Sequence, residues 1–427
     1  MLFRSPQLNS EAATAVTRFT SAVQNGRILP NTQQNAFDAL ASVKNAVTAD
    51  RYKDYENQLR IALENKGQEA LLKYLAGDEN PQSREDFAAA GQYMEAARLL
   101  TKESIYLEGR SDFFQGRTLL FDKKYSDAAN LLEQSVRFDP SGAYTYNALG
   151  IAYLEQAQFD KALPAFRDAA RLAQHWAYPL HNAALAYAET GDYQRAIRSY
   201  QQAMKLAPQY SYLPYNLGLV YQRTNRKKEA DASYRKAMML SPNSAEPYNA
   251  LGSLKASEGK RTEAEQLYRQ ALQKRPSLLA ARHNLALLLS ADANRRQEAI
   301  ELWRENLRQD PSHLPSRLSL AETLAAAGDT NNAVNEYRTV LKDKPGYTAA
   351  RVALATLLAK SGDNDAALTE LRQAAQADAQ NADLQERIGD IEAARGRKTE
   401  ATAAYEAASK LSDKAGRKRI EAKRKRF

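Results

Sequence analysis

A spacing of small and bulky residues that returns about every 34 residues constrains this chain more than any other feature. The clearest copy lies in 143–174, where Leu149-Gly150 is followed by Tyr153, then Ala162, then Phe166. Tyr146, Leu149, Gly150 and Tyr153 fall at i, i+3, i+4 and i+7, so they share one helix face. Ala162, Phe166 and Ala169 do the same on a second helix. The small residues let two helix axes approach, and the bulky ones fill the space beside them. One such pair cannot bury its apolar face alone, so copies must stack into a continuous elongated core. The expected fold is therefore all-α and solenoidal, not the two or three globular domains that 427 residues would otherwise suggest.

Nine units run in register: 109–142, 143–176, 177–210, 211–244, 245–278, 279–313, 314–347, 348–381 and 382–415. The small residue of the first helix is Gly116, Gly150, Ala184, Gly218, Gly252, Ala286, Ala321, Ala355 and Gly389. The small residue of the second helix is alanine in every unit, from Ala128 to Ala401. Four residues on stands a bulky partner, from Leu132 and Phe166 through Trp303 to Tyr405. Prolines such as Pro140, Pro242 and Pro345 close six units, where a helix must stop. Gly191, Gly259, Gly328, Gly362 and Gly396 fall in the turns between paired helices. The unit 279–313 has one extra residue, in 291–296, which reads as a lengthened loop.

The pattern L-G-x2-Y followed by A-x3-F, repeated in this way, resembles the tetratricopeptide repeat (TPR) family, in the style of bacterial arrays. The resemblance implies a right-handed α-solenoid and a job in protein binding. Ahead of the repeats, 1–76 reads as three or four helices without the spacing. An apolar stripe falls on Ala36, Leu40, Val43 and Val47, another on Tyr52, Tyr55, Leu59 and Leu63, and Leu71 to Leu75 close the segment. This N-terminal helical region is expected to cap the array, or to be the remnant of a larger upstream domain. Residues 77–108 read as a degraded terminal repeat. There Ser83 and Asp86 form a capping box, Gly91, Tyr93, Ala96 and Leu100 match the turn and second helix, and the Leu-Gly signature is missing. Glu392, standing where Tyr or Leu is expected, fits a capping role for the last unit.

The net charge of +9 is concentrated at one end: residues 416–427 hold seven Lys/Arg and one Glu. This basic C-terminal tail is expected to be solvated, or at most a frayed continuation helix whose removal leaves stability unchanged. Binding to nucleic acid or acidic lipid is expected only through it. No apolar run approaches the length of a membrane span. The start, MLFRSPQLNS, lacks a signal-peptide core, and Leu2–Ser5 matches adapter sequence in one frame, so a missing natural N-terminus is one expectation. Cysteine is absent, which suits cytoplasm and periplasm equally.

Catalytic patterns are not found. His175, His181, His283 and His313 make no metal-ligand spacing, and Gly259-Lys260 lacks the remainder of a phosphate loop. No enzyme activity, cofactor or metal is expected. What remains is a surface. In the family, the second, fifth and sixth positions of the first helices line the concave groove. Here the second position carries Tyr144, Tyr178 and Tyr212. The fifth and sixth carry Phe113-Phe114, Asn147, His181-Asn182, Tyr215-Asn216, Asn249 and His283-Asn284. The set is similar to the asparagine ladder in the TPR region of protein O-GlcNAc transferases, interrupted by Ala148 and Ala250 and without a glycosyltransferase domain. The alternative role of each Asn is to bond a neighbouring repeat. The family's clamp for chaperone C-termini is not matched, since Lys and Asn are absent from its positions. The expectation is a monomeric, non-catalytic scaffold that takes a peptide segment or helix of a partner in this groove. The alternatives are a fragment whose missing part carries catalysis or a membrane anchor, and an anionic-surface binder acting through the tail.

Overall fold

In a computed structural model, residues 10–76, 82–101 and 103–426 are described. Among them every regular element is helical, and the chain is an all-α solenoid of stacked helix pairs. It divides into two compact units, Met1–Leu240 and Ser241–Phe427.

The first unit opens with α1 (Ser10–Gln24), α2 (Ala36–Lys44), α3 (Ala49–Ala76) and α4 (Arg84–Leu100). Asn35 caps α2, accepting from the Asp38 amide at 2.9 Å. Helix α3 is a single helix of 28 residues, so Tyr52 to Leu63 and Leu71 to Leu75 share one rod. The expected capping box of Ser83 and Asp86 starts α4. Gly91 lies inside α4, not in a turn, with its face against Phe114. The small residue of the missing first helix is Gly67 of α3: a Cβ there would run into the Met94 side chain. Ala90 is buried one turn before Met94. The pair α3–α4 thus repeats the small–small–bulky code across a longer connection, and hydropathy alone does not register it.

The repeats follow as pairs of 12–17-residue helices, beginning with Ile105–Phe121 and Tyr125–Phe138. The close approach is where the spacing puts it. A Cβ on Gly150 would meet the Phe166 ring at 2.5 Å, and one on Gly218 the Tyr234 ring at 2.6 Å. The turn between paired helices places one residue in the left-handed region in nearly every repeat. Gly191, Gly259, Gly328, Gly362 and Gly396 do so, and so do Lys123, Ala157 and Asn225 at the same register. The extra residue of the 279–313 repeat is absorbed by a 3-10 turn, Ala293–Arg295, capped by Asp292.

In the second unit, an arginine ties successive repeats together. Arg317 donates to the Pro311 carbonyl (2.7 Å) and pairs with Glu336 (2.7 Å). Arg351 does the same with Pro345 (2.8 Å) and Glu370 (2.5 Å). Arg282 bonds the Pro276 carbonyl and Asn306. The guanidinium fork satisfies a carbonyl left over where each preceding repeat ends.

The basic tail differs from its expectation. Lys414–Arg424 is a helix capped by Asp413, and Ile420 is buried against Ala401, Tyr405 and Ala408. Arg419 pairs with Glu386 at 2.6 Å and Lys423 with Asp390 at 2.7 Å. The helix begins where another repeat would begin, and it covers the last helix pair. Glu392 accordingly is no exposed cap residue: it is fully buried and pairs with Arg372 at 2.7 Å.

Candidate functional site

The end of α3 lies against Arg117 and Asn147, on the first helices of the repeats 109–142 and 143–176, and against Trp176 and Tyr210, which follow the second helices of 143–176 and 177–210. Asn147 donates its amide to the Tyr74 hydroxyl at 2.8 Å. The Arg117 guanidinium sits 4.6 Å from the Tyr74 ring centre, and Trp176 meets that ring edge-on at 5.5 Å. Two residues on, the Ala76 carbonyl accepts from the Tyr210 hydroxyl at 3.1 Å. Three repeats therefore grip one helix end through side chains.

This changes the standing of several expected groove residues. Phe113 and Phe114 are not on an open surface: both are buried, Phe113 against Tyr144 and Phe114 near Phe87 of α4. Helix α4 and the end of α3 cover the face that would otherwise show them. Tyr144 is likewise buried, its hydroxyl donating to Asp139 at 2.8 Å and its ring under Arg110. Asn147 is fully buried, held between Tyr74 and Asn182. Four of the five asparagines take the alternative role. Asn182 donates to Asn147 at 2.9 Å, and Asn284 donates to Asn249 at 3.0 Å. In both pairs the sixth position of one repeat bonds the fifth of the repeat before it. The amides set the register of neighbouring repeats, a use that satisfies buried polar groups.

Tyr178, His181, Tyr212, Tyr215 and Asn216 remain partly exposed. Their rings form a strip. Tyr178 and Tyr212 are 6.1 Å apart, Tyr212 stacks on Tyr210 at 5.6 Å, and His181 meets Tyr212 edge-on at 4.9 Å. Trp176 joins the strip to Tyr74, standing 5.9 Å from Tyr178. His181 keeps part of its surface, but its Nδ1 is buried, and burial pushes the imidazole down to about 4, so the ring is neutral at pH 7. In the second unit, Asn249, His283 and Asn284 are also partly exposed. Trp303 donates its indole N–H to His283 Nδ1 at 3.1 Å, and burial lowers the His283 pKa.

Trp176, Tyr210, Arg117 and Tyr74 were missed by position-by-position reading. Trp176 and Tyr210 each stand at the last residue of a repeat, immediately before a first helix, and Tyr74 lies outside the repeat register. The recurrence of an aromatic residue two positions before Tyr178 and Tyr212 was the available signal. Among the described residues no group of His, Asp and Glu could hold a metal ion, and no helix is long and apolar enough to cross a membrane.

Four family models match the chain. One described as a tetratricopeptide repeat-like domain covers residues 254–426, and models of the TPR repeat cover 113–179, 184–225 and 215–244. No curated protein matches. Among solved structures, Pseudomonas aeruginosa PilF is similar at 21% identity over 50% of this chain and 97% of that one, with a TM-score of 0.43. A tetratricopeptide repeat protein from Parabacteroides merdae is 14% identical over 59% of this chain and 99% of that one, at a TM-score of 0.47. MamA from Desulfovibrio magneticus is 21% identical over 40% and 97%, at 0.35. With family matches from 113 to 426 lying on helix pairs that close over the same small residues in turn, the chain belongs to the tetratricopeptide repeat family.

Proposed function

We propose that this protein is a non-catalytic scaffold that takes a peptide segment or helix of a partner on the first-helix face of its repeats. The observation that carries the reading is the seating of α3. That face already holds one helical segment by a hydrogen-bonding amide, a cation over a ring and a phenol on a main-chain carbonyl. The aromatic strip of Tyr178, Tyr212 and Tyr210 continues beyond it. Partly exposed aromatic side chains at the centre of such a face are typical binding anchors. In this reading 109–415 are the binding repeats, α1 to α4 lie ahead of them in the first unit, and the Lys414–Arg424 helix covers the last helix pair of the second.

Three of the seven basic residues of 416–427, Arg419, Lys423 and Arg424, are each paired with a carboxylate of the last repeat, which reduces the charge the tail offers to an anionic surface. Charges neutralised in place attract a polyanion less.

The test is capture of the partner from the source cell by wild type and by a Tyr178→Ala/Tyr212→Ala chain, followed by titration of the recovered partner. The double variant is expected to bind about 30-fold more weakly, as the loss of about 2 kcal/mol requires. Because both rings touch neighbours, helical content and melting are measured alongside. Equal affinity in a folded double variant refutes the reading.

A further inference from the structure

We infer that His283 and His313 form an anion site in the second unit, which takes a carboxylate between two imidazole N–H donors. The inference rests on the scaffold reading above and adds a charged anchor to it. Behind it stands a buried arginine without a counter-ion. Arg317 and Arg351 each pair with a glutamate of their own repeat, Glu336 and Glu370. At the same register of 279–313, with its extra residue counted, stands Leu302. Arg282 is nonetheless buried, and its guanidinium bonds neutral acceptors, Asn306 and the Pro276 carbonyl. Glu305 acts on it from a distance and is itself paired with Arg308 at 2.6 Å. A buried cation so placed is costly unless negative charge reaches it from elsewhere.

The side-chain bonds that lead from Arg282 to the surface all run one way. Arg282 donates to Asn306 at 2.7 Å, the Asn306 amide to Ser316 Oγ at 2.9 Å, and the Ser316 hydroxyl to His313 Nδ1 at 2.8 Å. Asn306 and Ser316 are fully buried. The Ser316 backbone N–H also donates to His313 Nδ1, so that nitrogen is an acceptor and the ring proton sits on Nε2. His283 is fixed in the same way, because the Trp303 indole can only donate to its Nδ1. Bonds aligned in series polarise one another, so the buried charge strengthens the donor at the far end. His313 is the last residue of its repeat, as Trp176 and Tyr210 are of theirs, and His283 stands where His181 does. The two rings are 6.0 Å apart and both residues are partly exposed. Among the described residues neither Nε2 has a protein partner: Asn284 turns to Asn249, and Asp310 to Ser312. A carboxylate brings a negative charge and two oxygens, one for each N–H. A metal ion does not suit the pair. A histidine that ligates through Nε2 donates a proton from Nδ1, and here both Nδ1 atoms face donors.

The test uses the full chain, and the probe is acetate exchanged for chloride at constant ionic strength. The chain has four histidines, so their ring nitrogens are resolved by nitrogen NMR and assigned by single substitution. His283 and His313 are both expected as Nε2–H tautomers at pH 7. Acetate should shift both Nε2–H signals saturably, and zinc should leave them in place. His313→Asn keeps a cap for the helix that follows and should abolish the acetate response. Leu302→Glu supplies the glutamate that the next two repeats carry. It should weaken acetate binding several-fold while both tautomers, which report an intact network, are kept. An Nδ1–H tautomer at either ring, zinc binding through Nε2, no acetate response in wild type, or an undiminished response in Leu302→Glu would each overturn the inference. The captured partner is then titrated with wild type and Leu302→Glu. Weaker binding to Leu302→Glu means that the partner supplies the carboxylate, and equal binding assigns the site to a small carboxylate ion. The two readings fail separately. If acetate behaves as expected but partner capture ignores Tyr178 and Tyr212, the scaffold reading fails. If capture depends on those tyrosines but acetate is without effect, this inference alone fails.

Discussion

Ala157 is the residue whose replacement tests the repeat geometry most cleanly. It occupies the left-handed turn position at φ +55°, where the equivalent residue in five other repeats is glycine. The turn is a two-bond helix terminus: the Ala157 amide bonds the Leu154 carbonyl and the Gln158 amide bonds the Tyr153 carbonyl, both at 2.9 Å. Holding an L-residue with a Cβ in this region costs about 1–2 kcal/mol. Glycine removes that cost but loses about 0.5–1 kcal/mol in unfolded-chain entropy. Ala157→Gly is therefore expected to stabilise by about 0.5–1 kcal/mol, and Gly191→Ala to destabilise by a similar amount. Asn225, at φ +57°, tolerates the conformation through its own side chain, so Asn225→Gly should change little. Stability in such arrays is nearly a sum over repeats and their neighbours, so the gain should be local. Hydrogen exchange within 143–176 should slow about two- to five-fold in Ala157→Gly, with distant repeats unaffected. A loss of protection there, or an equal gain from Asn225→Gly, would refute the argument from backbone geometry.

Three further perturbations follow from named contacts. Asp112 is nearly buried and its Oδ2 has no hydrogen-bond partner among the described residues. Burial first and Glu108 second raise its carboxyl from 3.8 to about 6. Between those values the folded state holds a proton that the unfolded chain lacks, so stability falls as pH rises through that window. Asp112→Asn should flatten that fall and add about 1–2 kcal/mol at pH 7, read from melts between pH 4 and 7. Arg317→Leu strands Glu336 and the Pro311 carbonyl, and should cost about 2 kcal/mol, seen as faster exchange at the junction of 279–313 and 314–347. Ile420→Ala should cost about 2 kcal/mol and expose the pair 382–415, contrary to a dispensable tail. Glu386 is held down to about 2, chiefly by Arg419, so the docking of that helix is present above pH 4.5 and is lost as pH falls toward 2.

The repeats are legible in the sequence because their code is a packing code. Gly150 and Phe166 must be as they are for two helix axes to come within contact, and the same need recurs in each unit. The pair α3–α4 uses that code too, but the long connection between Gly67 and Ala90 takes it out of register. The C-terminal helix hides for another reason. Ile420 is its one large apolar residue among charges, and the acids that neutralise those charges lie 33 residues earlier on another helix. Groove positions were readable, but their use was not. Asn147 and Asn182 are where a ladder places them, yet they bond each other. Tyr74 lies 73 residues from its partner Asn147, and no local pattern couples the two.

Site-specific photo-crosslinking in the source cell locates the face that receives the partner. A photoreactive phenylalanine analogue is placed at position 212, within the aromatic strip, and separately at position 198, an exposed arginine on a second helix. The chain contains no cysteine, so a thiol-attached crosslinker at the same two positions gives an independent repeat. A discrete adduct is expected from position 212, lost when Tyr178→Ala is added, and none from position 198. Adducts from position 198 alone, or a 212 adduct indifferent to Tyr178, would contradict the claim that the first-helix face receives the partner.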